Sequence, residues 1–177
     1  MIQKAYLAGG CFWCLDGIYR MIKGVVSVQS GFAGGTVPHP TYEQVCMGAT
    51  GHAETVEVEF DPAVISYQDI LEVFFAIHDP TTLNRQGNDV GTEYRSVIFF
   101  TNTGQEATAK KILAEVNGPE HYNGKVVTDL KPLEAFYVAE DYHQDYYNNY
   151  KNRNPYCTFV ISPKIKKFKE KFSFLLR

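Results

Sequence analysis

Ala5-Tyr6-Leu7-Ala8-Gly9-Gly10-Cys11-Phe12-Trp13-Cys14 joins a short apolar run to a helical pattern through two glycines and a cysteine. The run predicts a strand and the residues after Cys11 a helix, so the thiol lies where a strand feeds a helix N-terminus. Unpaired N–H groups and about half a positive charge at that end favour the thiolate. The two glycines permit a tight turn that leaves the sulfur accessible. We therefore expect Cys11 to be a nucleophile; the alternative is a small apolar side chain packed under the helix.

The order of the predicted elements is that of an α+β fold. Apolar and alternating runs predict strands at residues 5–8, 25–32, 54–60 and 94–101. Helical spacing predicts helices at residues 13–22, after the capping sequence Ser66-Tyr67-Gln68-Asp69, and after a second capping box at Thr103 and Glu106. The first six elements, βαββαβ, have the order of the split βαβ unit of ferredoxin-like folds. We predict a ferredoxin-like α+β sandwich with extra C-terminal elements.

The extra elements follow the third helix. Residues 125–130 and 135–139 are predicted as strands, 140–149 as a short helix, and 163–172 as an amphipathic helix with a solvated basic face. A chain of 177 residues is long enough for one domain with a sizeable core. We predict a single catalytic domain over residues 1–177, in which residues 140–177 form a C-terminal extension.

Composition limits the class of protein. The net charge of -3 argues against nucleic-acid binding and against attraction to acidic membranes. No apolar stretch approaches the roughly 20 residues of a membrane span, and the N-terminus lacks the pattern of a secretory signal. Four cysteines are too few for a disulfide scaffold in a chain of this length, which favours reduced thiols. We expect a cytoplasmic monomer.

Glu54 stands out in the strand predicted at residues 54–60. Alternation places Thr55, Glu57 and Glu59 on one face, and Glu54 on the other face with Val56, Val58 and Phe60. A carboxyl in that apolar row loses water, which raises its pKa and keeps it protonated near neutrality, as a proton donor requires. The alternative is that Glu54 lies just beyond the buried part of the strand or caps a backbone group.

His52 and Cys14 suggest other chemistry for Cys11. His52, just before Glu54, would be the general base of a Cys–His pair, although a histidine at a strand start is more often structural. Cys11 and Cys14 have the spacing of half a structural zinc site, but no second pair completes it. The same pair suits a thioredoxin-like thiol–disulfide oxidoreductase, which has no need of a buried carboxyl. These readings stay open on the residues alone.

Six motifs in a fixed order resemble the peptide methionine sulfoxide reductase A family, from about residue 5 to residue 163. They are Gly10-Cys11-Phe12-Trp13, Gly34-Gly35, Pro40-Thr41-Tyr42, Gly51-His52-Ala53-Glu54, Asp89-Val90-Gly91-Thr92-Glu93-Tyr94-Arg95-Ser96 and His143-Gln144-Asp145-Tyr146. The resemblance implies reduction of the S epimer of methionine sulfoxide, free or protein-bound, to methionine. It implies thioredoxin or another dithiol as the final reductant and no metal or organic cofactor.

The same resemblance implies roles for particular residues. Cys11 corresponds to the nucleophile and Glu54 to the acid, and Tyr42 and Tyr94 correspond to tyrosines that hydrogen-bond the substrate oxygen. Asp89 corresponds to an acid near the substrate. Phe12 and Trp13 correspond to the aromatic wall around the substrate methyl group.

A second thiol must then resolve the sulfenic acid formed on Cys11. Cys157 corresponds to the family's C-terminal resolving position, and its polar surroundings predict a mobile segment. Cys14 departs from the common pattern, which has Gly there, and it lies one helical turn from Cys11. Asp16 and Phe32 also depart, standing where Glu and Tyr are usual. We expect Cys157 to resolve first, with Cys14 as a possible relay, and Cys46 to be structural.

Overall fold

The computed structural model describes residues 1–177 and consists of a curled central sheet with helices packed on it. The strands are β1 (Gln3–Ala8), β2 (Val25–Ala33), β3 (Ala53–Phe60), β4 (Arg85–Gln86), β5 (Asp89–Val90), β6 (Val97–Phe100), β7 (Asp129–Pro132) and β8 (Phe136–Val138). The α-helices are α1 (Phe12–Tyr19), α2 (Tyr42–Cys46), α3 (Tyr67–Ile77), α4 (Thr103–Val116), α5 (Tyr146–Tyr150) and α6 (Ser162–Lys171). Single turns of 3₁₀ helix occupy Thr92–Tyr94, Asp141–His143 and Ser173–Leu175, and a π-helical turn occupies Cys157–Ile161.

Six strands form the sheet in the order β7-β6-β1-β3-β2-β8, and β4 and β5 form a separate hairpin. All neighbours in the sheet are antiparallel except β6 and β7, which are parallel. In this register Leu7 of β1 pairs with Val56 of β3, and Glu54 of β3 pairs with Phe32 of β2. The mixed α+β architecture predicted from the sequence is confirmed.

The main core lies between the sheet and helices α1, α3 and α6. Val56, Val58 and Phe60 of β3 are fully buried in it, as the alternation predicted. Burial of each such side chain contributes about 1.5–3 kcal/mol. A smaller apolar cluster around Tyr6 and Phe99 covers the opposite face of the sheet. The two faces together fix β3 in register, and with it the position of Glu54.

The helix boundaries follow local capping chemistry. The predicted capping box at Ser66 and Asp69 is confirmed, because each side chain accepts the backbone N–H of the other. The predicted capping role of Thr103 is wrong. Asn102 has extended backbone geometry and its side chain accepts the N–H of Gln105 at 2.8 Å, so Asn102 is the N-cap and Thr103 is already helical.

Two predictions for the C-terminal third need correction. The helix predicted at residues 140–149 is divided into a 3₁₀ turn and α5, because Asp145 between them has a left-handed backbone with φ of 52°. The strand predicted at 125–130 is β7, which starts at Asp129, since Val126 and Val127 use their N–H groups on Asn117 and Pro80 instead. The amphipathic helix predicted at 163–172 is present as α6.

None of the helices combines the length and apolar character that crossing a bilayer requires.

Candidate active site

Cys11 is the N-cap residue of α1, as the sequence predicts, but only 7% of it is exposed, so the predicted accessibility of its sulfur is wrong. Gly10, before it, has φ of 83°, a left-handed conformation that favours glycine. A Cβ atom on Gly10 would lie 2.6 Å from Cγ of Gln86, so a side chain has no room there. The turn between β1 and α1 therefore requires glycine and holds Cys11 at the helix N-terminus.

The ionisation of Cys11 differs from the expectation. Burial raises the pKa of its thiol well above the ordinary value, and the neighbouring Cys14 and the charge of Glu54 raise it further. The backbone N–H of Trp13, in the first turn of the helix, acts in the opposite direction. Desolvation outweighs the helix terminus, so the resting side chain is a thiol.

Glu54 faces the core at the start of β3 and is 1% exposed. Its Oε1 atom accepts the backbone N–H of Phe12 at 3.1 Å, which ties the carboxyl to the first turn of α1. Burial raises the pKa of Glu54 to about 8, although the Phe12 N–H opposes this, and the charges of Glu93 and Asp89 raise it further. Glu54 is therefore mostly protonated at neutral pH, beside the only N-cap thiol of the molecule.

Tyr42 and Tyr94 keep their phenolic protons near the same carboxyl. Tyr42 is the first residue of α2, and Tyr94 is the last residue of a 3₁₀ turn. The backbone carbonyl of Tyr94 accepts the N–H of Gly10. Burial raises the pKa of both phenols, and the charge of Glu54 raises both further. The structure thus brings two hydroxyl donors and one carboxyl donor to the N-terminus of α1.

Phe12 and Trp13 supply aromatic surface directly after Cys11. Phe12 is fully buried, with its ring centroid 5.7 Å from that of Phe32 and 6.2 Å from that of Tyr42. Trp13 is partly exposed and stacks face to face on Tyr146 at 3.7 Å between centroids. An apolar group bound beside Cys11 would meet these rings, and they would shield it from water.

Asp89 is held by a residue that the sequence analysis did not select. Its Oδ2 atom accepts the hydroxyl of Tyr156 at 2.6 Å, which joins the β4–β5 hairpin to the segment just before Cys157. Tyr156 also presents its ring edge to Trp13 at 6.0 Å. The C-terminal extension therefore closes one side of the site.

The other cysteines occupy three different environments. Cys14 is buried one helical turn from Cys11, and the neighbouring Cys11 lowers the pKa of its thiol, with Lys164 contributing in the same direction. Cys157 is fully buried in the π-helical turn, although most of its neighbours in sequence are exposed. Cys157 belongs to the main apolar core together with residues far away in sequence, and local composition does not record that placement. Cys46 is exposed at the end of α2.

His52 does not act on Cys11. Its Nδ1 atom accepts the N–H of Gly35 at 3.0 Å and its Nε2 atom donates to the carbonyl of Val37 at 2.7 Å, so both ring nitrogens are used to hold a loop. No group of three or more His, Cys, Asp or Glu side chains is arranged to hold a metal ion. Cys11 and Cys14 therefore have no further ligands with which to form a structural zinc site.

The family model described as Peptide methionine sulfoxide reductase matches residues 3–174. The chain belongs to this family. A relative from Saccharolobus solfataricus named Peptide methionine sulfoxide reductase MsrA is 57% identical over 171 residues, which cover 97% of this chain and 95% of the relative. The resemblance seen in the six motifs is therefore confirmed over nearly the whole chain.

Solved structures of the yeast protein Mxr1 share the fold of this chain. The reduced form of Mxr1 from Saccharomyces cerevisiae has a TM-score of 0.80 at 35% identity, covering 86% of this chain and 88% of that chain. Mxr1 in complex with Trx2 has a TM-score of 0.58 at 26% identity, covering 82% of this chain and 84% of that chain.

Three side chains of this reductase-family site escaped the sequence analysis: Tyr156, Tyr146 and His143. The last two belong to the quoted motif His143-Gln144-Asp145-Tyr146, and Tyr156 directly precedes Cys157. Their contacts with Trp13 and Asp89 span more than 60 residues of sequence. The motif at residues 143–146 indicated that His143 and Tyr146 matter, but the local sequence does not show which side chain each ring contacts.

Proposed function

We propose that this chain reduces the S epimer of methionine sulfoxide, free and in proteins, to methionine through attack by Cys11 on the sulfoxide sulfur. Membership of the peptide methionine sulfoxide reductase family supports the reaction class. The observation that carries the mechanism is the neutral, buried Glu54 carboxyl at the helix terminus that begins with Cys11. A sulfoxide oxygen leaves poorly unless it gains a proton as the new bond forms, and Glu54 is protonated at neutral pH.

The step transfers one oxygen atom. The sulfur of Cys11 attacks the sulfoxide sulfur while Glu54 gives a proton to the oxygen; the oxygen then passes to Cys11, leaving a sulfenic acid and methionine. The thiol proton of Cys11 restores the Glu54 carboxyl, so protons balance. Cys11 is oxidised by two electrons and the sulfoxide is reduced by two.

Tyr42 and Tyr94 act in this proposal as hydrogen-bond donors to the sulfoxide oxygen. Both phenols remain protonated because burial raises their pKa values. Donors aimed at developing negative charge stabilise the transition state more than the ground state. Asp89 lines the same site and fixes Tyr156 beside it.

Phe12 and Trp13 act as the wall of the methyl pocket. The methyl group of the substrate has no polar handle, so apolar area and exclusion of water must hold it. The two rings follow the nucleophile directly in sequence, which fixes them to the same helix turn.

Cys14 and Cys157 resolve the sulfenic acid in that order. Cys14 lies one helical turn from Cys11 and its side chain contacts Cys11, whereas burial raises the pKa of Cys157. We therefore reverse the order expected from the sequence: Cys14 attacks Cys11 and expels water, and Cys157 then exchanges with that disulfide. The Cys14 charge acts on the pKa of Cys157, which supports proximity of these two sulfurs.

The final disulfide is reduced by thioredoxin or another dithiol. The complex of the yeast relative Mxr1 with Trx2 supports this partner. The proposed reaction needs no cofactor. We propose that the chain is a single catalytic domain and acts as a cytoplasmic monomer, without nucleic-acid or membrane partners. The order β6-β1-β3-β2, linked by α1 and α3, supports a ferredoxin-like split βαβ core within the sheet.

The test is reduction of racemic methionine sulfoxide with excess dithiothreitol, followed by chiral separation of the remaining sulfoxide. We expect the S epimer to disappear, the R epimer to remain, and Cys11→Ser to abolish the reaction. Consumption of both epimers at one rate, or of neither, contradicts the proposal.

The Cys11–Cys14 pair favours one second candidate, a thioredoxin-like thiol–disulfide oxidoreductase. Insulin-disulfide reduction separates the two functions. The oxidoreductase requires Cys14 and is indifferent to Glu54→Gln, whereas sulfoxide reduction requires the Glu54 proton.

A further inference from the structure

His143 lies at the centre of the aromatic residues around the site and is fully buried. Its Nδ1 atom lies 3.0 Å from Nε1 of Trp13. Its ring stacks on Tyr42 with 4.3 Å between centroids and 15° between planes, and it lies 5.2 Å from the ring of Phe12. One imidazole therefore contacts both rings of the proposed methyl wall and one of the two proposed oxygen donors.

The direction of the hydrogen bond fixes the state of this imidazole. An indole N–H can only donate, so Nδ1 of His143 must accept and the single proton of the neutral ring is on Nε2. An imidazolium carries protons on both nitrogens and could not accept from Trp13. Burial lowers the pKa of His143 to about 4, in keeping with a neutral ring, although Glu140 opposes this shift.

The second nitrogen of His143 makes no hydrogen bond. Nε2 is one of two buried side-chain polar atoms in the molecule without a partner. Replacing Nε2 by carbon would therefore remove no hydrogen bond. Replacing Nδ1 by carbon would remove the hydrogen bond that the Trp13 indole donates. The two nitrogens can be separated by substitution.

We propose that neutral His143 is a positioning residue that accepts the indole N–H of Trp13 and, by stacking on Tyr42, sets the spacing between the methyl wall and the oxygen donor. This rests on the proposed function of Trp13 and Tyr42. The hydrogen bond fixes the rotation of the indole, which stacking on Tyr146 leaves free within its plane. His143 itself touches no reacting atom.

The experiment compares two variants of His143. His143→Phe keeps a flat ring for stacking and loses the acceptor, while His143→Asn keeps an acceptor close to the Nδ1 position. Trp13 is the only tryptophan, so the indole ¹H–¹⁵N resonance and the tryptophan fluorescence both come from this one side chain. We expect the indole proton to move upfield in His143→Phe and to return toward its original position in His143→Asn.

Single-turnover formation of methionine by the full chain supplies the second readout. Trp13 contacts substrate before and during the reaction, so its displacement weakens both states equally. For His143→Phe the half-saturating sulfoxide concentration should rise about 10-fold while the saturating rate changes less than about 3-fold, and His143→Asn should recover most of this loss. His121→Phe, at an exposed histidine, should match the unaltered chain on both readouts.

Two results would overturn the proposal. The first is an unchanged indole resonance and half-saturating concentration in His143→Phe. The second is equal loss in His143→Phe and His143→Asn when both retain the far-ultraviolet circular dichroism and thermal midpoint of the unaltered chain. If neither variant folds, Trp13→Phe replaces them, because it also loses the hydrogen bond between Trp13 and His143. A half-saturating sulfoxide concentration equal to that of the unaltered chain would then overturn the proposal. Failure of the unaltered chain to form methionine refutes the proposed function, while the indole resonance still tests the contact.

Discussion

Oε1 of Glu54 accepts the backbone N–H of Phe12 at 3.1 Å, although 42 residues separate them in sequence. This N–H is one of the donors at the start of α1 that no helical carbonyl can reach. This one hydrogen bond therefore gives the Phe12 N–H a partner and holds the Glu54 carboxyl next to Cys11. The second oxygen of Glu54 makes no hydrogen bond to a protein group, which leaves it to carry the proton that the pKa of about 8 implies.

Glu54→Gln should abolish most sulfoxide reduction. Glutamine retains the acceptor for the Phe12 N–H but cannot donate an acidic proton, and loss of general-acid help of this kind lowers rates about 10²–10⁴-fold. The measurement is the single-turnover rate of methionine formation. Glu57→Gln is the matched control, because Glu57 lies on the other face of β3 and accepts the Tyr6 hydroxyl there. Equal rates for the two variants would contradict the acid role of Glu54.

Stability should fall at high pH because of the same group. The pKa of Glu54 is raised from 4.5 to about 8 in the fold, so protons bind more tightly to the folded chain than to the unfolded chain. Its contribution to stability is fully present below its unfolded pKa and is lost as pH rises through about 8, at about 1.4 kcal/mol per unit of pKa difference. Urea unfolding of Glu54→Gln should show a smaller decrease between about pH 5 and about pH 9 than Glu57→Gln. Parallel curves for the two variants would refute this.

The sequence was sufficient where a local rule decides the outcome. Alternation in β3 predicted the burial of Glu54, and the strand–glycine–helix order predicted Cys11 at a helix terminus; both are confirmed. Local rules also had limits. Asn102 and Thr103 can both cap a helix, and only the backbone geometry at Asn102 decides between them.

Long-range packing determines what the sequence could not predict. Cys157 was expected in a mobile segment because its neighbours are polar, yet its side chain is fully buried in the main apolar core. The thiolate expected at Cys11 followed from the helix terminus, whereas desolvation by the whole core outweighs that local effect. His143 accepts a hydrogen bond from Trp13, 130 residues away in sequence, and no periodic pattern of the sequence predicts a contact at that separation.

Asp16 should anchor the C-terminal extension to α1. It is fully buried, pairs with Arg20, and accepts the Ser30 hydroxyl at 3.1 Å and the Asp145 backbone N–H at 3.2 Å. Asp16→Ala removes one ion-pair partner of Arg20 and leaves the buried Ser30 hydroxyl and the partly buried Asp145 N–H without their acceptor. The free energy of unfolding should therefore fall by about 2–3 kcal/mol. Glu106→Ala, which breaks an exposed helix pair with Lys110, should cost less than about 0.5 kcal/mol. Similar losses for both variants in urea unfolding would contradict the anchoring role.

The order of the resolving thiols can be read from a single turnover without reductant. After quenching by alkylation, peptide mass spectrometry should show a Cys11–Cys14 disulfide first and a Cys14–Cys157 disulfide later, because Cys14 lies one helical turn from Cys11 and contacts it. Cys157→Ser should stop at the first disulfide, and Cys14→Ser should accumulate a sulfenic acid that dimedone traps. Cys46 is exposed and takes part in neither disulfide, although it lies beside Tyr42, so Cys46→Ser should form the two disulfides in the same order. Formation of a Cys11–Cys157 disulfide in Cys14→Ser at the normal rate would show that Cys14 is dispensable, and Cys157 would then be the direct resolver despite its burial.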